Sequence, residues 1–337
     1  MTTTNRAAVL YGAQDIRVDD RPLPEPGETD VLVSMRSGGI CGSDMHYFAE
    51  GRNGTNVLRQ PTVLGHEGAG VVVAAGARAS VAVGTPVVIE PAVPCGVCAS
   101  CLAGRYNVCP DGYCFGSPPT DGLFSQSVVV PAASVHELPA AVPPEIGAVI
   151  EPLAVAVWAV ERAEVAAGHR VLITGAGPIG LLVLQVALAA GAAEVIVTDV
   201  NDARLAVATA LGASQVVNTA REPLDATGID RLIECSGSPA ALAGGILTLR
   251  PAARATVVGQ ARPTIDGLPL GFLQRYEIDL VTAFRYANAF PTAIRLAASG
   301  EVDVRSVITA TFPLERVADA LVAPVADPTN LKVLITY

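Results

Sequence analysis

Val171-Leu172-Ile173-Thr174-Gly175-Ala176-Gly177-Pro178-Ile179-Gly180, an apolar run to residue 190, then Val195-Ile196-Val197-Thr198-Asp199, is the stretch that decides the fold. A short β-branched run, a glycine-rich turn and a long apolar segment read as strand, turn and buried helix, with the second β-branched run as the next parallel strand. A GxGxxG pattern alone is weak, since glycines often serve turns. Its place between a strand and a helix makes it a dinucleotide fingerprint. Gly175 permits the tight turn, Gly177 presents no Cβ to a pyrophosphate, and Gly180 lets helix and strand pack closely. The pyrophosphate then rests on the free N–H groups of the helix beginning at Pro178, where the macrodipole favours negative charge. Asp199 lies nineteen residues beyond Gly180, where a carboxylate accepts from the adenosine ribose and repels a 2′-phosphate. That favours NAD over NADP. Arg204 nearby is the group that could receive such a phosphate.

Outward from this motif the alternation continues. Strand patterns at 215–217, 231–234 and 255–258 alternate with helical ones at 202–211 and 239–249. The fold class is α/β, with a doubly wound parallel sheet covered by helices on both faces. Residues 1–140 differ: short β-branched runs at 31–33, 71–73, 87–89 and 128–130 are punctuated by Gly and Pro, which predicts a β-rich domain. A helix at 290–299 and a strand at 331–336 are expected to return to it. The predicted division is therefore 1–147 with 287–337 for the β-rich domain, and 148–286 for the dinucleotide domain.

A chain of 337 residues, 51% apolar and 16% charged, can bury large cores and is not disordered. Its net charge of −10 disfavours nucleic acid and anionic lipid as partners. The polar start (Thr2, Thr3, Thr4, Asn5, Arg6) has no apolar run behind it to make a signal peptide. No stretch offers about 20 lipid-compatible residues in one helix. A cytoplasmic protein is expected.

Two constellations carry ligand chemistry. Cys41, His66, Glu67 and Glu151 offer a thiolate, an imidazole and carboxylates, a donor set suited to zinc with a position left open for water or substrate. Cys95-x2-Cys98-x2-Cys101-x7-Cys109 can close a tetrahedral thiolate shell that leaves no such position, pinning a lobe at about 91–115. Cys114 and Cys235 read as ordinary buried thiols.

With these motifs in view, the chain resembles the zinc-dependent medium-chain dehydrogenases nearly end to end. The resemblance rests on Gly65-His66-Glu67-Gly68-Ala69-Gly70, the four-cysteine lobe, Glu151 and the glycine motif at 175–180. Cys41-Gly42-Ser43-Asp44-Met45-His46-Tyr47, Ile150-Glu151-Pro152-Leu153 and Phe284-Arg285-Tyr286 resemble the sorbitol, xylitol and L-idonate dehydrogenase branch. Simple alcohol dehydrogenases usually have a cysteine where Glu151 stands, and animal sorbitol dehydrogenases commonly lack the four lobe cysteines. The resemblance implies a GroES-like catalytic domain beside a Rossmann domain, with one catalytic and one structural zinc. It implies that a secondary hydroxyl of a polyol is oxidised to a ketose with NAD. Cys41 and His66 match catalytic zinc ligands. Either Glu67 or Glu151 is the third, and the Glu151 position otherwise holds water or substrate. Ser43 and His46 match proton-carrying positions, and Tyr47, Arg285 and Tyr286 match polyol contacts. Pro178, Ile179, Arg204, Val258, Gly259, Ala283, Phe284 and Arg285 match nucleotide contacts. A homodimer or homotetramer is implied. The alternatives are a sugar acid such as L-idonate, or a cyclitol, as substrate, and more remotely a non-catalytic dinucleotide sensor.

Overall fold

Six parallel strands, most of them short β-branched runs, build the sheet of the unit Pro152–Val307. Their order is Gln215–Asn218, Glu194–Asp199, Arg170–Thr174, Ile229–Glu234, Leu249–Val257, Asp279–Thr282. The order reverses at Arg170–Thr174, the switch point beside which doubly wound sheets bind ligands. Thr174 pairs in register with Thr198 and with Glu234, so three carboxyl ends finish level. The computed structural model describes residues 4–260 and 264–337; Met1, Thr2 and Thr3 of the polar start lie outside the described residues.

Helix Pro178–Ala189 is apolar but for Gln185, and Gly180 through Ala187 are buried, as a helix enclosed by its neighbours must be. Leu172, Ile196, Leu232, Ile246 and Ala255 form the core on one face of the sheet. Each large side chain buried there contributes roughly 1.5–3 kcal/mol. Buried Gln185 accepts from the Asp303 amide at 2.7 Å and donates to the Asp303 carbonyl at 3.4 Å. This pair, with Tyr286 packed edge-to-face on Phe290, explains a difference from the sequence reading. Residues 287–307, including helix Phe290–Ser299, stay with this unit, and the chain returns to the other only at Ile308. Helix Pro239–Ile246 also ends earlier than predicted, because the strand Leu249–Val257 starts there.

The unit Met1–Glu151 with Ile308–Tyr337 is built round the strand Asp30–Gly39. Glu67–Ala75, Ser127–Pro131 and Lys332–Thr336 all pair with it antiparallel. Val31, Val33 and Met35 share one buried face of this strand, and Leu32 between them is buried as well. Register shifts at Leu32/Val33 and Met35/Ser37 break the strand's alternating period, and Ser37, Gly38, Gly39 and Ile40 are all buried. Such bulges re-aim a strand end. Here that end leads into Cys41. No helix among the described residues is long and apolar enough to cross a membrane.

Candidate active site

Cys41 caps helix Gly42–Glu50, and His66 immediately precedes the strand Glu67–Ala75, which pairs with Asp30–Gly39 so that Glu67 lies opposite Gly39. These two strand ends bring the thiol, an imidazole nitrogen and a carboxylate oxygen within 4.8 Å of one another. Donors bound to one tetrahedral zinc at about 2.0–2.3 Å sit roughly 3.3–3.8 Å apart, so the cluster needs little movement to share an ion. A Cβ at Gly39 would collide with the Glu67 carboxylate, so the glycine makes room for it. The electrostatics also fit a cation. Burial alone would push the His66 pKa down, but the negative charges of Asp44 and Cys41 outweigh it and hold the imidazolium well above the ordinary histidine range. Glu151, at the head of helix Ile150–Ala163, is 5% exposed. Its carboxylate does not belong to the three-donor cluster.

Two residues of this cluster carried no assigned role in the sequence reading. Asp44 is fully buried and accepts from the Cys41 amide at 3.0 Å and the Gly65 amide at 3.3 Å. Its Oδ1 also lies 3.6 Å from His66 Nδ1. It thus ties both ligand-bearing segments together. A signal existed, since an acid three residues after a helix cap commonly bonds back to the cap amide. Lys332 had none. It arrives from the last strand and donates to Glu67 Oε1 at 2.7 Å, Glu67 Oε2 at 2.8 Å and the Ile40 carbonyl at 2.9 Å. Burial would lower its pKa, but Glu67, Cys41 and Glu151 hold it above the usual lysine value.

On helix Gly42–Glu50, Ser43 is half-buried and His46 is exposed one turn later. Tyr47, predicted to contact substrate, is 3% exposed and packs into the core beside Leu64 and Phe124. Its hydroxyl accepts from Asn56 at 2.8 Å, and desolvation pushes its pKa up.

The four lobe thiols form a second cluster within 4.8 Å. Cys98 lies 3.4 Å from Cys101 and 3.8 Å from Cys109, and Cys95 lies 3.9 Å from Cys101. These spacings are close to those of thiolates on one zinc, roughly 3.8 Å. The amides of Cys95 and Cys98 donate to Cys109 and Cys95 sulfurs at 3.3 and 3.4 Å. Desolvation and its thiol neighbours push Cys101 up to about 12, while the Cys95 amide draws Cys109 down to about 7. No side chain of the lobe helix Ala99–Leu102 is buried, so this segment has no apolar core of its own to hold it. Cys114 is buried and Cys235 half-buried.

In the other unit, Gly175 has φ +95 and its amide donates to the Thr198 carbonyl at 2.7 Å. A Cβ at Gly180 would strike the Gly175 carbonyl, and one at Gly177, the helix cap, would meet open space. These are the approaches a phosphate-binding turn requires. Pro178 and Ile179 open the helix with partly buried side chains. Asp199 Oδ2 accepts from the Ala176 amide at 2.7 Å, and Oδ1 accepts from Val200 and Asn201 at 2.7 and 2.9 Å. It therefore anchors the glycine loop as well as standing at the strand end. Arg204 is half-buried on helix Asp202–Ala210. The Val258 and Gly259 amides donate to the Glu234 carbonyl at 2.8 and 2.9 Å, and the Ala283 amide to Val257 at 2.9 Å. Phe284 is 54% exposed beneath the Arg285 guanidinium, 4.9 Å above its ring centre. Arg285 has φ +49. Tyr286 is fully buried. Glu234, not singled out in the sequence, is buried and binds the Ser236 and Gly237 amides at 2.6 and 2.8 Å.

Comparison with known proteins follows the same division. The alcohol dehydrogenase GroES-like domain matches residues 27–140, and the zinc-binding dehydrogenase domain matches 178–299. Sorbitol dehydrogenase of Macaca fascicularis is 40% identical over 327 residues, covering 94% of this chain and 91% of that protein. The structure of L-idonate 5-dehydrogenase from Escherichia coli K-12 superposes with a TM-score of 0.94 at 30% identity, covering 99% of this chain and 98% of that one. An Escherichia coli CFT073 protein described as a short chain alcohol dehydrogenase, solved with NADH, gives 0.92 at 31% identity over 100% of both chains.

Proposed function

This chain belongs to the zinc-binding dehydrogenases that carry a GroES-like alcohol dehydrogenase domain, and we propose that it oxidises a secondary hydroxyl of a polyol to a ketone with NAD as hydride acceptor. One observation carries the reading: Cys41, His66 and Glu67 converge within 4.8 Å in a chain similar over nine-tenths of its length to a sorbitol dehydrogenase. Zinc held by these three residues supplies Lewis-acid stabilisation of negative charge on the substrate oxygen.

The chain's own groups do the rest. Ser43 takes up the hydroxyl proton and passes it outward by way of His46, which faces solvent one turn along the helix. Glu151 accepts a hydrogen bond from substrate or water. Arg285, half-buried where Tyr47 and Tyr286 are packed away in cores, holds a neighbouring hydroxyl. The turn from Gly175 to Gly180 seats the pyrophosphate, and Asp199 meets the adenosine ribose, with Ile179, Arg204, Val258, Gly259, Ala283 and Phe284 as further nucleotide contacts. Cys95, Cys98, Cys101 and Cys109 hold a structural zinc. We place the protein in the cytoplasm as a homodimer or homotetramer. The edge strand Asp279–Thr282, with Leu280 40% exposed, supports assembly through that edge.

The likeness to L-idonate 5-dehydrogenase favours a second substrate class, a sugar acid, whose carboxylate Arg285 would clamp with two parallel bonds. The deciding measurement is NADH absorbance with polyols, aldonates and cyclitols, NAD and NADP side by side, with zinc content assayed. NAD with a polyol is expected to give the fastest turnover, and Cys41→Ala to abolish it while NADH binding survives. Turnover persisting in zinc-free Cys41→Ala sinks the reading. Arg285→Lys impairing the aldonate far more than the polyol would shift it to the acid.

A further inference from the structure

Lys332 spends its whole donor capacity on Glu67 and on the backbone just before Cys41. Two of its three N–H groups go to the two oxygens of Glu67, at 2.7 and 2.8 Å, and the third goes to the Ile40 carbonyl at 2.9 Å. Lysine and glutamate are 3% and 1% exposed, so each is the other's counter-charge out of reach of water. The glutamate is one of three donors within 4.8 Å, and Asp44 is buried beside the other two. Ionised for metal binding, Cys41, Glu67 and Asp44 present a strong excess of negative charge over the one ammonium. A divalent ion offsets that excess.

We propose that Lys332 is a resident counter-ion for Glu67: it keeps the buried carboxylate paired while the divalent ion is absent and, by competing for its oxygens, weakens the hold on that ion. The inference rests on the reading of Cys41, His66 and Glu67 as a metal site. Its physical basis is an asymmetry. A buried carboxylate stripped of the cation that hydrogen-bonds both its oxygens is strongly destabilising, whereas the same carboxylate beside a metal keeps a partner. Losing the lysine therefore injures the metal-free protein far more than the loaded one. By linkage, the metal must then bind more tightly.

The experiment uses full-length wild type, Lys332→Met, Lys332→Arg and the double variant Glu67→Gln/Lys332→Met, each melted with zinc and after chelation. Loss of the lobe zinc is common to all four and cancels. Chelated Lys332→Met should melt roughly 10 °C below chelated wild type, while the zinc-loaded pair differ by much less. Lys332→Arg should restore the chelated protein, and so should the double variant, which leaves no charge unpaired. Titration against a competing chelator should show Lys332→Met holding the catalytic zinc roughly tenfold tighter or more. Equal losses with and without zinc, no loss, or a Lys332→Met protein that fails to fold even with zinc each overturn the counter-ion role. Should wild type take up only the lobe zinc, the metal reading fails first and takes the counter-ion with it.

Discussion

Asp44 shows how much one buried carboxylate decides at the residue scale. It receives the amides of Cys41 and Gly65 and faces His66, so it aims two ligand-bearing segments at one point. Asp44→Asn keeps the shape but replaces an acceptor oxygen with a donor. Groups that orient metal ligands typically carry tenfold to a hundredfold in affinity. Asp44→Asn should lose the catalytic zinc that much more readily to a competing chelator, with the lobe zinc unaffected; undiminished retention would contradict this. His66 gives a pH dependence. Its pKa in the folded, metal-free protein is raised, so its stabilising contribution is fully present below the unfolded value of about 6.5. It is lost as pH rises through the folded value. The melting-temperature gap between chelated wild type and chelated His66→Gln should therefore shrink from acid to alkaline pH. A gap independent of pH would refute it.

At the scale of elements, the strand–turn–helix from Arg170 to Ala189 is held by close backbone approach rather than by side chains. Gly180 sits against the Gly175 carbonyl, so Gly180→Ala must push the helix away from the turn. NADH affinity is expected to fall by roughly tenfold or more, since the phosphate-binding amides move with the helix. Fluorescence titration of NADH measures this, and an unchanged dissociation constant would show that the turn absorbs the methyl. This element was legible in advance because its parts are consecutive: period, glycines and strand-end acid all lie within thirty residues. The tail divides for the converse reason: the closing strand returns to the first unit as expected, while residues 287–307 do not. Helix Phe290–Ser299 shows its apolar stripe plainly, but which sheet it joins is decided by Gln185 holding residue 303.

Across the whole molecule, the last strand is the piece that completes the first unit. Lys332–Thr336 lies between Asp30–Gly39 and Ile308–Pro313 inside the seven-stranded sheet and delivers Lys332 to Glu67. A chain ending at Asp327 loses an interior strand together with that lysine. Catalytic-site zinc should be lost, while NADH binding by the unit Pro152–Val307, which has its own core, largely survives. Full retention of both zinc ions, measured by metal analysis after gel filtration, would count against this role.

The amino-acid sequence alone determined the chemistry that depends on neighbours along the chain: the glycine turn and its acid, the four spaced cysteines, and the donor types at 41, 66 and 67. Short-range pattern suffices there, because helix and strand periods and cap positions operate over a few residues. Tertiary structure alone decided that Glu67 rather than Glu151 joins Cys41 and His66, that Tyr47 and Tyr286 are packed in cores, and that Lys332 meets a glutamate 265 positions earlier. Those outcomes turn on strand register between distant segments and on where a buried charge finds its partner, and neither is written in local spacing.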